Sequence, residues 1–288
     1  MSVGVSLICH NERENIGPCL DFIYNQTVEP ETVVIIDDWS TDDTVDIIKA
    51  TGYPVHLVEL KAPRVFKGVN IAWAIHKSLK TMLEVSQVDY ILRMDSDARM
   101  NNPRTLEILK AEMEGDPRLG ITGAYYGKAM IRHVCDAVRM YRRACLLQVM
   151  ENNPIPNQQG LYPIAYGHDS LAIFRANYHG WTARPANVEY LDVRPYKRNY
   201  WQWYQTGRFR YENGFGLVHE VGSTIRYLRQ KPYIMGTLVS FISWALAHIT
   251  PRNKFEPEYI RFMQREFDQV TMDGIKRLLR GETRTVIF

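Results

Sequence analysis

Through the first 125 positions, short apolar runs rich in β-branched residues alternate with stretches whose apolar positions recur every third or fourth residue. V-S-L-I-C at 5–9 gives way to Ile16, Cys19, Leu20, Phe22 and Ile23, and V-V-I-I at 33–36 to Val45, Ile47 and Ile48. The run at 55–60 precedes Ile71, Ile75, Leu79, Met82 and Leu83 at helical spacing. Y-I-L-R-M at 90–94 precedes Asn102 and Pro103, a helix cap with proline at the first helical position. Residues 119–124 supply a fifth run. Strands alternating with helices predict βαβ units, right-handed crossovers and a mostly parallel sheet whose ligands gather at the strands' carboxyl ends.

The second half has a different pattern. Ile131, Val134, Cys135, Val138, Tyr141 and Cys145 fit one long helix over 128–150, with Arg132, Arg139 and Arg143 on another face, either solvated or a strip for an acceptor. N-N-P-I-P-N-Q-Q-G at 152–160 breaks regular structure and predicts a mobile loop. An aromatic and basic segment follows at 194–211, then a run without charge from Tyr233 to Ile249. As a helix, that run puts Gly236, Ser240, Ser243 and Ala247 on one side and Ile234, Leu238, Phe241, Ile242, Ala245 and Ile249 on another. The small side suits close packing against protein, and the apolar side suits core or lipid. Its length is short of the about 20 residues a membrane span needs. Beyond it, Arg261, Arg265, Lys276, Arg277 and Arg280 are set among Phe262, Met263, Phe267, Ile275, Leu278 and Leu279, a basic amphipathic pattern suited to anionic headgroups.

Composition adds bounds. With 288 residues, 45% hydrophobic and 23% charged, the chain suffices for one large domain or two modest ones. Cys9, Cys19, Cys135 and Cys145 show no C-x-x-C pair or His-rich spacing and read as reduced thiols. The N-terminus has neither a basic stretch nor a long hydrophobic segment, so a cytoplasmic protein without secretory signal or N-terminal anchor is expected. The net charge of +3 hides an asymmetry: residues 1–125 carry 12 Lys/Arg against 19 Asp/Glu, and residues 126–288 carry 23 against 13. A basic second half suggests phosphates, an acidic surface or anionic lipid as partner, with solvated surface charge as the plain alternative. Nucleic acid is not expected among the partners.

Two predicted strands end in acidic pairs, Asp37 with Asp38 and Asp95 with Asp97, which a parallel sheet brings to one edge. S-T-D-D at 40–43 reads as a capping box for the next helix and accounts for Ser40 and Asp43. It does not account for Asp38, Asp95 and Asp97, because gathered like charges repel unless a cation or basic ligand group offsets them. Oxygen-only ligands select a hard ion, Mg²⁺ or Mn²⁺, held by one or two carboxylates together with substrate phosphates.

These segments resemble the GT-A glycosyltransferases of family 2, inverting enzymes that use nucleotide sugars. V-S-L-I-C-H-N-E-R-E-N-I-G-P-C-L at 5–20 is similar to the family's first strand and helix, two residues shorter before Asn-Glu. V-I-I-D-D-W-S-T-D at 34–42 resembles its nucleotide segment, with Trp39 in place of the usual glycine. K-G-V-N-I-A-W-A at 67–74 resembles the segment beside the diphosphate, with Ala74 where Asn is usual, and D-S-D at 95–97 falls at the metal-binding D-x-D. Y-G-H-D-S-L-A-I-F-R at 166–175, followed by Gly180 and Trp181, keeps the spacing of the segment that bears the catalytic base. His168 and Leu171 replace acidic residues there, and Asp169 stands where the base belongs. A rival alignment takes Phe174-Arg175 as the acceptor-side segment and leaves the base at Glu189 or Asp192.

The resemblance spans roughly residues 3 to 215 and implies an α/β GT-A fold, Rossmann-like, with a helical C-terminal extension. It divides the chain into a glycosyltransferase domain at 1–225, with a nucleotide-sugar half (1–125) and an acceptor half (126–225), and a helical extension at 226–288 suited to membrane association. Cys9, Glu12, Asp38, Lys67, Gly68 and Asp95 are implied to line the nucleotide sugar, and Asp95 and Asp97 to hold Mg²⁺ or Mn²⁺. Arg208, within Q-T-G-R-F at 205–209, is the candidate for the diphosphate or else a structural ion pair; His219 is a candidate metal ligand or else a packed histidine. The expected donor is a UDP- or GDP-sugar, and the expected acceptor a saccharide or lipid-linked group. The expected location is the cytoplasmic face of an anionic membrane, with a homodimer as the other use of the apolar face. Two other functions stay open at this point: a sugar nucleotidyltransferase, disfavoured because C-H-N-E-R at 9–13 has no glycine, and a noncatalytic sugar- or lipid-binding protein on the same fold.

Overall fold

The parallel strands form where the apolar runs predict them. β1 (Val3–Cys9), β2 (Thr32–Asp37), β3 (His56–Glu59) and β4 (Tyr90–Asp95) are joined by α1 (Ile16–Tyr24), α2 (Thr44–Ala50) and α3 (Lys67–Val85). α4 (Thr105–Gly115), β5 (Leu119–Gly123), β6 (Tyr125–Tyr126), β7 (Val138–Arg142), α5 (Arg143–Glu151), α6 (His168–Tyr178), β8 (Thr182–Ala183) and β9 (Glu189–Tyr190) follow. The computed structural model describes residues 1–61, 67–98, 100–126, 134–151, 167–190, 199–227, 233–250 and 255–280; the loop expected at 152–160 lies outside them. Contacts divide the chain into two units, Met1–Tyr162 with Asp169–Pro195, and Pro163–His168 with Tyr196–Phe288.

In the first unit the seven-stranded sheet has the order β3-β2-β1-β4-β7-β5-β8, and only β7 runs against its neighbours among the described strands. The chain leaves β1 toward β2 and β3, then returns to place β4 on the other side of β1. That reversal is a topological switch point, where open α/β sheets leave a crevice at the strands' carboxyl ends. Both faces of the sheet are covered, so the strands are apolar at nearly every position. Val5, Leu7, Val33, Ile35, Leu92 and Met94 pack with α1 and α4, whereas Val34, Ile36 and Ile91 pack with Ala74, Ile75, Leu79 and Met82 of α3. A Cβ on Gly4 would stand 2.8 Å from the Met82 sulfur, so glycine there lets α3 lie close to β1.

The helix expected over 128–150 is corrected. Val138–Arg142 is a strand between β4 and β5, and among the described residues of that span only those from Arg143 onward are helical. A spacing of three and four buries Val134, Val138, Tyr141 and Cys145 in either geometry, so the apolar period does not decide. The slot between two strands does, because it satisfies the N–H and C=O groups of β7 on both sides. Arg139 is fully buried, and Arg143 donates to the carbonyls of Ser86 and Leu83, so neither lies on a solvated face. α4 begins at Thr105 rather than Pro103, with Arg104 at the cap position and no side-chain cap bond; Asn102 instead accepts the Arg104 N–H at 2.9 Å in the turn before the helix.

The second unit is helical: α7 (Tyr200–Glu212), α8 (Leu217–Tyr227), α9 (Tyr233–Ile249) and α10 (Pro257–Leu279). Asn199 and Gln202 form a reciprocal capping box at the start of α7. The small side of α9 packs on α7: a Cβ on Gly207 would meet the Ser240 carbonyl at 2.0 Å, Gly236 lies against the Trp203 ring, and Ser243 Oγ donates to the Tyr204 carbonyl at 2.7 Å. Ile234, Met235, Leu238, Ile242, Leu246 and Ile249 are left exposed. Among the described residues no helix is long and apolar enough to cross a membrane. The contacts group α7 and α8 with α9 and α10.

Candidate active site

The ends of β1 and β2 are laced together by their turns. Asp38 N–H donates to the Cys9 carbonyl at 2.8 Å, and His10 Nδ1 donates to the Asp38 carbonyl at 2.8 Å, which leaves Nε2 to accept from Asn11. Asn11 N–H donates to Ser40 Oγ, and Asn11 Oδ1 accepts the Thr41 N–H at 2.8 Å. Asn11 and Trp39 both hold positive φ, 54° and 58°. Asn tolerates that region, whereas a bulky residue there is strained, so the glycine usual at the position of Trp39 has a backbone reason. Trp39 is exposed all the same.

The capping box expected at 40–43 is corrected. Ser40 N–H and Oγ both donate to Asp37, and Asp42 Oδ1 accepts the Thr44 N–H at 3.1 Å and its hydroxyl, while α2 starts at Thr44 without a cap bond from Asp43. Asp37 is buried, and the Cys9 thiol faces it at 3.6 Å; burial first, then Asp37, pushes that thiol well above its ordinary range. Glu12 and Asp38 are also buried, Glu12 accepting from Asn15 Nδ2 at 2.7 Å.

Asp95 closes β4 beside Ile8 of β1, and Asp97 follows in the turn, both partly exposed. The Asp95 carboxylate is held by Arg93 Nη2 at 2.5 Å, and Arg93 lies inside the sheet. Arg93 Nη1 and Arg139 Nη1 each take one oxygen of Asp136, at 3.1 and 3.0 Å. Burial opposes the charge on both guanidinium groups. The carboxylates around Arg93, and Tyr141 and Asp136 around Arg139, outweigh it and hold both above the usual arginine range. The sequence pattern does not bring Arg93, Asp136 and Arg139 together. The signal for the group is Arg93 inside an otherwise apolar run.

Asp169 lies in the first turn of α6, and its carbonyl accepts from Arg139 Nη1 at 2.8 Å. Leu171, at the second altered motif position, is buried in the core. Of the rival bases, Glu189 opens β9 and is exposed, and Asp192 lies outside the described residues. Lys67 and Gly68 open α3, and the Lys67 side chain is likewise outside. In the second unit, Arg208 lies 3.7 Å from Glu212 and over the Tyr204 ring. His219 has a hydroxyl at each ring nitrogen, Thr271 at 3.2 Å and Ser223 at 3.0 Å, and packs edge-on to Phe215 and Phe267.

Among the described residues no three His, Cys, Asp or Glu groups form a ready cage. The partly exposed pair Asp95 and Asp97 offers hard oxygen donors only, which fits Mg²⁺ or Mn²⁺ completed by substrate phosphates.

A Rossmann-like, mostly parallel sheet with carboxylates at its switch point and helices on both faces is the GT-A fold. The model of glycosyl transferase family 2 matches residues 5–180. The chain belongs to that family. No curated protein matches it in sequence. Its fold is similar to that of the mannosyltransferase PcManGT from Pyrobaculum calidifontis in complex with GDP-Man and Mn²⁺, with TM-score 0.54, 18% identity, and 98% of this chain and 88% of that one covered. It is also similar to glucosyl-3-phosphoglycerate synthase from Mycobacterium tuberculosis in complex with Mg²⁺ and UDP, with TM-score 0.52, 16% identity, and coverage of 73% and 78%.

Proposed function

We propose that the protein transfers a sugar from a nucleoside-diphosphate sugar to an acceptor hydroxyl or lipid phosphate, with inversion at the anomeric carbon. The observation that carries this reading is the pair Asp95 and Asp97 at the carboxyl end of β4, beside the switch point and next to the end of β1, where Glu12 is buried. The neighbours' complexes with GDP-Man or UDP and a divalent cation support a nucleoside diphosphate as the donor group. Glu12 and Asp38 accept hydrogen bonds from base or ribose, and Lys67 and Gly68 run beside the diphosphate. Asp95 and Asp97 hold Mg²⁺ or Mn²⁺, which when bound offsets charge on the leaving group, a contribution of about several kcal/mol. Asp169 takes the proton of the attacking hydroxyl, a role that contributes about 10² to 10⁴-fold. A lipid phosphate, already ionised, needs no base, and Asp169 then only positions it. Labelled UDP- and GDP-sugars with Mn²⁺ test the reading. Release of nucleoside diphosphate supports it; pyrophosphate-dependent turnover, or binding without turnover, contradicts it.

In the same reading residues 1–225 carry the transfer and residues 226–288 attach the protein to the cytoplasmic face of a membrane. The exposed row Ile234, Leu238, Ile242, Leu246 and Ile249 supports this, as do the exposed Arg261, Arg265 and Lys276 of α10, which suit anionic headgroups. Vesicle flotation tests it. A full chain that ignores anionic vesicles at low salt, or a chain cut after Lys231 that floats equally well, contradicts attachment, and dimeric elution assigns the row to a homodimer.

A further inference from the structure

Two arginines stand side by side within the sheet, where strands ordinarily bury apolar residues. Arg93 of β4 and Arg139 of β7 are direct partners in the antiparallel register, 2% and 0% exposed. Like charges opposite each other on neighbouring strands repel, and buried guanidinium groups carry a desolvation cost that apolar residues would not. Asp136, just before β7, offsets both. One of its oxygens takes Arg93 Nη1 at 3.1 Å and the other takes Arg139 Nη1 at 3.0 Å; its carbonyl also accepts from Arg93.

The outer ends of this group reach the two sides of the reaction. Arg93 Nη2 donates to Asp95 Oδ1 at 2.5 Å, and Arg139 Nη1 donates to the Asp169 carbonyl at 2.8 Å. Arg139 Nη2 is fixed in turn by the Val134 carbonyl at 3.0 Å. An unbroken series of contacts therefore runs from the carboxylate on the donor side to the first turn of the helix that bears the base. A network serving packing alone has no need to end on both.

We propose that Arg93, Asp136 and Arg139 are positioning residues, a buried relay that holds the Asp95 carboxylate and the first turn of α6 in one frame. The proposal rests on the roles given above to Asp95 and Asp169. Its physical warrant is the steep dependence of transfer on alignment, since a misplacement of about 1 Å costs on the order of 10²-fold. Because each oxygen of Asp136 holds one arginine, each arginine steadies its own outer end against one shared carboxylate. Asp95 is thus oriented before any cation arrives.

The test uses Arg93→Met and Arg139→Met in the full chain, since each leaves Asp136 one arginine. Three quantities are read: turnover, Mn²⁺-dependent affinity for UDP and GDP by calorimetry, and hydrogen exchange of the amides at 172–175 in α6. Arg139→Met is expected to speed that exchange and lower kcat about tenfold or more, with nucleotide affinity within about twofold. Arg93→Met is expected to weaken affinity about tenfold and leave α6 exchange unchanged. Arg139→Lys, which keeps the charge and loses the fork, should fall between wild type and Arg139→Met. Wild-type exchange in folded Arg139→Met overturns the relay, and so does an equal loss of affinity and turnover in both Met variants. Where a Met variant does not fold, the Lys variant at the same position carries the same comparison. If the wild-type chain binds neither nucleotide, the functional reading fails instead, and α6 exchange still decides the relay.

Discussion

At the end of β2, Asp37 is buried and its carboxylate is occupied by the Ser40 N–H and hydroxyl and by the Cys9 thiol. At the end of β4, Asp95 and Asp97 are partly exposed, and Asp95 is gripped from inside the sheet by Arg93. Both ends are apolar runs closed by acids. The difference lies in what satisfies the oxygens. Turn and thiol donors make Asp37 part of the fold, whereas one buried arginine two residues earlier on the same strand holds Asp95 and leaves the pair suited to a cation.

The largest effect that sharpens this contrast belongs to Asp169, which Arg139 ties to the β4 side. Asp169→Asn should lower transfer to a hydroxyl acceptor by about 10² to 10⁴-fold while calorimetry shows nucleotide binding retained. Should transfer survive there and vanish in Glu189→Gln, the base lies on β9 and the β4 end has a different partner.

The next test falls on the β2 end. Asp37→Ala should lower stability by about 2 to 3 kcal/mol in urea denaturation, because a charged acceptor of three donors is lost. A variant of wild-type stability would mean that Asp37 does not hold the turn.

Acid titration separates both ends from the packing around them. Burial, then Lys80 and Lys77, lowers His76 of α3 from 6.5 to about 4. Between those values the unfolded chain binds a proton that the folded one refuses, so stability falls as pH drops from 6.5 and this loss stops near 4. His76→Gln should remove a pH-dependent loss on the order of 2 kcal/mol, equally in wild-type and Asp37→Ala backgrounds. An unchanged pH profile in His76→Gln would contradict this. The smallest effect is Trp39→Gly, where relief of the positive φ should offset the added freedom of the unfolded chain to within about 1 kcal/mol in thermal melts.

Much of this frame was legible in the chain. The bounds of α9 follow from a run without charge, and its inward side follows from Gly236, Ser240, Ser243 and Ala247. The strands carrying Asp37 and Asp95 follow from buried apolar runs. What escaped was set by contacts that only the folded chain makes. Arg139 and Tyr141 face one way and Val138 and Met140 the other, a period-two signal hidden by apolar spacing that also fits a helix. Asp136 acquires its role only when β7 inserts beside β4. Ser40 looked like a helix cap because a motif shows which donors are near, not that Asp37 lies nearer still.

The central claim, that the two acidic strand ends differ in kind, is tested most directly by calorimetry of UDP and GDP with Mn²⁺ on Asp97→Ala and Asp37→Ala together. The account predicts that Asp97→Ala keeps wild-type stability and loses metal-dependent affinity by about tenfold or more, while Asp37→Ala loses stability and keeps that affinity within about threefold. Unchanged metal-dependent affinity in Asp97→Ala, or its loss in folded Asp37→Ala, would contradict it.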